Sequence, residues 1–118
     1  MDSLEGLDFG IAADTFYECL EDEFPGVISM FSDMHSQRVM FVSALKSIDQ
    51  LYDNDRQLLE YIELLGEKHK KAGVLKIHMD GGERAFSKAI DAAGPTIDEQ
   101  RKLRLKDAFT KLRETMGY

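Results

Sequence analysis

The chain has 118 residues, 43% of them hydrophobic and 31% charged, which fits a single domain spanning 1–118 and excludes a second one with its own core. Fifteen Lys and Arg stand against 22 Asp and Glu, a formal charge of −7, which argues against a nucleic-acid binder, since that needs a basic face, and disfavours docking on anionic membranes. Cys19 has no second cysteine to bridge, no apolar run approaches the roughly 18 residues of a membrane span, and Met1-Asp2-Ser3-Leu4-Glu5 is acidic where a signal peptide is basic; together these predict a cytoplasmic protein.

Between Gly and Pro joints the apolar period is helical. Phe16, Tyr17, Leu20 and Phe24 line one face of a helix predicted over Ala13–Phe24, which Pro25-Gly26 stops. A short piece from Val27 to Phe31 follows, and Ser32-Asp33 offers capping oxygens to a second helix carrying Phe41, Ala44, Leu45, Ile48 and Tyr52. Asp53-Asn54-Asp55 reads as a turn and cap. The third helix buries Leu58, Ile62 and Leu65, and Gly73 sits where a left-handed cap residue belongs. A fourth segment has Met79, Phe86, Ile90 and Ala93 in register and closes at Gly94-Pro95; its Gly81-Gly82 pair either permits close helix approach or splits the segment. Thr96 and Glu99 have the spacing of a capping box for the last helix, through Leu105, Phe109, Leu112 and Met116. The expected fold is all-α, five helices and a connecting turn.

Chemistry is sought where a polar residue replaces an expected hydrophobe. One turn beyond Leu58, Ile62 and Leu65 the stripe reaches His69, either a satisfied core histidine or a ligand aimed inward. Tyr17, beside Phe16, needs a partner for its hydroxyl inside. Gln37 alone says little. No Glu precedes a histidine by three residues, and His-Glu-x-x-His and Cys-x-x-Cys are absent, which removes the carboxylate-bridged di-iron and zinc patterns. Glu21-Asp22-Glu23 reads as a solvated face, and Cys19 as a small buried hydrophobe. Lys68-His69-Lys70-Lys71 places cations at a helix C-terminus, where the dipole favours them.

Taken together, Phe16-Tyr17-x-x-Leu20, Phe24-Pro25-x-Val27, Phe31 and Gln37 resemble the distal half of a bacterial globin. Leu64-Leu65-Gly66-Glu67-Lys68-His69-Lys70-Lys71-Ala72-Gly73-Val74 is similar to that family's proximal-histidine segment, and the interval from Tyr17 to Phe31 also matches. The likeness runs from about Ala13 to Met116, with Met79 and Leu105 departing from the residues many relatives carry. The resemblance implies a globin-like fold with its first helix missing or reduced to Leu4–Phe9, and a haem b pocket. His69 would bind the iron, Phe31 would pack on the macrocycle, and Phe41, Leu65 and Val74 would line the cavity. Arg38 is a candidate propionate partner. Tyr17 and Gln37 would donate hydrogen bonds on the open side, favouring a polarised ligand such as O2 over CO. Binding of O2, NO or CO for storage, scavenging or sensing is the implied function. The alternatives are a haem nitric oxide dioxygenase served by a separate reductase, and a haem-free interaction module. A reduced first helix would also bare the face of the last two helices to a homodimer or protein partner.

Overall fold

The computed structural model describes residues 6–118 and builds them into five helices: α1 (Phe9–Glu23), α2 (Met34–Leu51), α3 (Asp55–Lys71), α4 (Lys76–Ala93) and α5 (Glu99–Thr115), with a 3-10 turn at Ile28–Met30. No strand occurs among the described residues, and none of their helices is long and apolar enough to cross a membrane. The all-α expectation holds, and each helix starts for a local reason. Asp8 accepts from the Ile11 amide at 3.0 Å, Asp33 from Ser36 at 3.2 Å and Asn54 from Gln57 at 3.1 Å, each satisfying an amide that the first helical turn leaves free.

Two boundaries differ from the sequence reading. The cap at Asp8 starts α1 at Phe9, ahead of the predicted Ala13, so Phe9 is no remnant of an earlier helix. Of the rest of that supposed remnant, Leu4 and Glu5 lie outside the described residues. Gly6 turns at φ +83°, Leu7 is buried, and the Asp8 amide donates to the Ala93 carbonyl at 2.9 Å, a lead-in tied to the end of α4. At α5 the Thr96–Glu99 capping box does not form. Asp98 is nearer the first turn and accepts from the Gln100 amide at 3.0 Å, while Glu99 lies 3.6 Å from the Lys102 ammonium.

α1 lies along α4, α5 packs on α4 and α3, and α2 joins α1 to α3 and touches α5. Leu45, Ile62, Ile90, Leu105 and Met116 form the fully buried centre. The glycine pair in α4 acts through close approach, not by breaking the helix. A Cβ at Gly81 would stand 2.5 Å from the Phe24 ring, and one at Gly82 would stand 3.2 Å from Phe109, so α1 and α5 both press on bare backbone.

The acidic run at the end of α1 is not simply solvated. Only Asp22 is exposed; both Glu21 carboxylate oxygens accept from the Gly26 amide at 2.7 and 3.0 Å. Glu23 forms two 2.7 Å bonds with the Arg84 guanidinium, which hold its carboxyl below the usual range. Cys19 is half-buried, not a core residue.

Candidate functional site

The end of α3 presents a prepared imidazole. A helical backbone brings the side chain at one position over the carbonyl four residues earlier, and His69 Nδ1 lies 2.7 Å from the Leu65 oxygen. A carbonyl only accepts, so Nδ1 is the donor in this contact, and the bond does not use Nε2. Among the described residues Nε2 has no hydrogen bond, and no buried side-chain nitrogen or oxygen lacks a partner, so on this half-buried residue Nε2 lies open.

The helix end is held as well. Gly73 takes φ +83°, and Val74 donates its amide to the His69 carbonyl at 3.1 Å. Tyr118, just beyond α5, donates its hydroxyl to the Val74 carbonyl at 3.1 Å. His69, Leu65 and Val74 are thus assembled on one joint, with Leu65 and Val74 packed against the core.

A second group gathers where α1 meets α2. Phe16 stacks on Phe41 with ring centres 4.6 Å apart, and Tyr17 sits edge-on to Phe31 at 6.0 Å and to Phe41 at 5.9 Å. Offset and edge-on arrangements are the ones that aromatic quadrupoles favour. The Tyr17 hydroxyl donates to a carbonyl at 3.1 Å, and that carbonyl belongs to the main chain of Gln37. Burial in this setting pushes the Tyr17 pKa up to about 12, because the phenolate would lose its water. Tyr17, Phe31, Gln37 and Phe41 therefore come together, with Gln37 engaged through its backbone.

Arg38 does not join them. Its guanidinium lies 2.9 Å from Asp14 and 3.4 Å from the Gly10 carbonyl, on an exposed surface between α1 and α2. It borders an outer cleft of about 690 Å³ that Tyr17 also lines, together with Asp14, Glu18, Glu21 and Met34. His35 is exposed on the same cleft. The pair with Asp14 gives Arg38 a role in joining α2 to α1, a reason for its position that a charge next to Gln37 in sequence does not reveal.

The donor set discriminates among cofactors. The described residues hold no group of three or more His, Cys, Asp or Glu that could cage a bare metal ion. A porphyrin brings four nitrogens of its own and asks the protein for one axial side chain, with apolar and aromatic surroundings. An imidazole held through Nδ1 with an open Nε2 meets that demand, and its carbonyl hydrogen bond is the outer-shell support that ligating histidines use. The fit is to the axial demand alone: neither of the clefts of about 350 and 690 Å³ is lined by His69, Leu65, Val74, Phe31 or Phe41.

Three contacts were not foreseen from sequence, two of them beside His69. Tyr118 closes on Val74 from another helix, and nothing in the local pattern announces it. Gly66 interrupts the buried stripe of α3, a detectable sign of close approach: a Cβ there would collide with Thr115 Oγ1. The tie from Arg84 to Glu23 spans α4 and α1. No protein-family model, no curated protein and no solved structure matches this chain.

Proposed function

We propose that this chain is a haem-binding protein of the globin type that takes up a diatomic gas. The observation that carries the reading is the 2.7 Å approach of His69 Nδ1 to the Leu65 carbonyl, which leaves Nε2 open at the end of an otherwise apolar helix face. Bound haem would supply an iron with one coordination position for O2, NO or CO. His69 would hold the group, and Phe31, Phe41, Leu65 and Val74 would give it apolar surroundings. Tyr17 brings a neutral phenol that burial keeps protonated, a hydrogen-bond donor ready for a polarised ligand. Its present acceptor, the Gln37 carbonyl, keeps the hydroxyl satisfied until such a ligand competes for it.

The test is an absorption spectrum recorded while haem is added to the purified protein. An intense band in the near-ultraviolet-to-blue region, lost or strongly weakened in His69→Ala, is the expected result; a protein that stays colourless sinks the reading. Tyr17→Phe should speed O2 release and leave CO affinity less affected, since CO develops less charge. Turnover of nitric oxide with a reductant would move the assignment from carrier to dioxygenase.

One observation favours a second reading, an interaction module. Between α4 and α5 runs a groove of about 350 Å³ lined by Phe86, Phe109, Leu103, Glu83, Lys106 and Asp107, with Leu103 64% exposed. This is the face that a missing or reduced first helix was expected to bare. A chain that refuses haem and captures a protein partner or a second copy through this groove would support that reading.

A further inference from the structure

The outer cleft where α1 meets α2 is a groove with an apolar floor and one charged wall. Ala13 is buried in it, and Ile28 and Met34 are half-buried beside the Tyr17 ring. Along the α1 side stand Asp14, Glu18 and Asp22 at four-residue spacing, about 6 Å of rise per step, with Glu21 between the last two. Asp14 is committed to Arg38 at 2.9 Å, and Glu21 to the Gly26 amide. Glu18 and Asp22 are exposed, and among the described residues neither carboxylate has a hydrogen bond or an ion pair.

This wall opposes the helix that carries it. α1 holds five carboxylates and no Lys or Arg. Like charges four residues apart on a helix repel, and Asp14–Glu18 and Glu18–Asp22 are two such pairs. The last turn is also the negative end of the helix dipole, and Glu21, Asp22 and Glu23 all stand there. Arg38 offsets Asp14 and Arg84 offsets Glu23, but nothing among the described residues offsets Glu18 or Asp22. Charges that work against their own helix, beside an open apolar groove, are the mark of a surface whose compensation comes from another molecule.

We infer that this cleft docks a basic amphipathic helix of a protein partner. The apolar residues of that helix lie over Ala13, Ile28 and Met34, and its Lys or Arg side chains meet Glu18, Glu21 and Asp22. A helix laid against α1 repeats its cations at the same rise as the carboxylates, so two turns stay in register over about 12 Å. A volume of about 690 Å³ takes the side chains of one helix face. Arg38 sits at the Asp14 end and repels a cation there, which gives the occupant a direction: its basic residues gather toward Asp22. Charges on such a rim speed encounter and make it salt-dependent. The inference does not use the haem reading, since His69 does not line this cleft.

The experiment titrates the protein with a synthetic helical peptide that carries Lys at four-residue spacing beside a Leu stripe, followed by NMR and by fluorescence anisotropy. Signals of Glu18, Asp22 and the Met34 methyl should move, and binding should weaken as salt is added. Glu18→Gln/Asp22→Asn should weaken it about tenfold. With the repulsion gone, the same variant should unfold about 2 °C higher than wild type. Glu63→Gln/Glu67→Gln removes equal charge from exposed positions of α3 and should bind the peptide as wild type does. A wild type whose cleft signals stay still, equal weakening in the two double variants, or a lower unfolding temperature in Glu18→Gln/Asp22→Asn overturns the inference. Spermine that binds as tightly as the peptide would make the ligand a small cation. Self-association lost in Glu18→Gln/Asp22→Asn would make the occupant a second copy of this chain. Either result overturns the helix of a partner.

Discussion

Single residues divide here into those that hold the fold and those that hold the candidate site. Asp49 belongs to the first kind. It is 0% exposed on α2, and Arg101 of α5 meets it with two bonds of 3.0 and 2.7 Å, a bidentate pair that compensates a charge taken out of water. Asp49→Ala removes both of these charge-assisted bonds from a site that is mostly closed, and should cost about 1.5–3 kcal/mol, read from the urea midpoint at unchanged slope. Tyr17 belongs to the second kind, and its titration gives a signed test. The phenol of an unfolded chain ionises near its ordinary value of 10.0, whereas the folded one waits until about 12. Below pH 10 both states keep the proton and stability does not change on this account. Between about 10 and about 12 the unfolded state binds fewer protons, so stability falls as pH rises. The fall should be shallower in Tyr17→Phe, compared with wild type by denaturant titration at each pH so that the lysines cancel. An identical slope in the two proteins would deny that Tyr17 is buried as described.

At the scale of helices, the bundle is organised by where backbones approach one another. Gly81 lets Phe24 lie on α4, and the Arg84–Glu23 pair locks the same crossing a turn away. Gly81→Ala would gain helix propensity of about 1 kcal/mol, yet its methyl would enter the Phe24 ring, and overpacking of this kind costs about 1–3 kcal/mol. The expected balance is a net loss of stability by thermal unfolding; a net gain would show that α1 shifts freely over α4. Much of this level was legible in the sequence. Asp33, Asn54 and Gly73 carry their own geometry, since a capping oxygen or a left-handed backbone is a property of one residue and its immediate neighbours. Thr96 misled because two residues before α5 could cap it, and only the path of the chain from Pro95 decides for Asp98. The acidic run at Glu21–Glu23 misled for a different reason. Charge density in sequence does not say that Arg84 of α4 will arrive opposite Glu23.

At the scale of the whole molecule, the same distinction separates the parts of the candidate site. The position of His69 follows from the stripe of one helix, and the Tyr17 and Phe41 rings meet because their helices are both amphipathic. The Tyr118–Val74 bond joins the segments that follow the C-terminal ends of α3 and α5, and no periodicity encodes it. On the proposed reading, those long-range ties would make folding and haem binding one linked equilibrium. Haem that binds only the folded chain stabilises it by about 2.7 kcal/mol when free haem reaches about 100 times Kd. For a domain of this size about 1 kcal/mol moves Tm by ~4 °C, so haem should raise the unfolding temperature by about 10 °C. The gain should nearly vanish in His69→Ala, whose folded state loses the axial nitrogen. A porphyrin that merely coats the exposed apolar residues Met40, Leu75 and Ile77 would shift the wild type and the variant alike. A calorimetric scan of both proteins with and without haem therefore separates a coordinated pigment from an adsorbed one, because only coordination makes the stabilisation depend on a single imidazole.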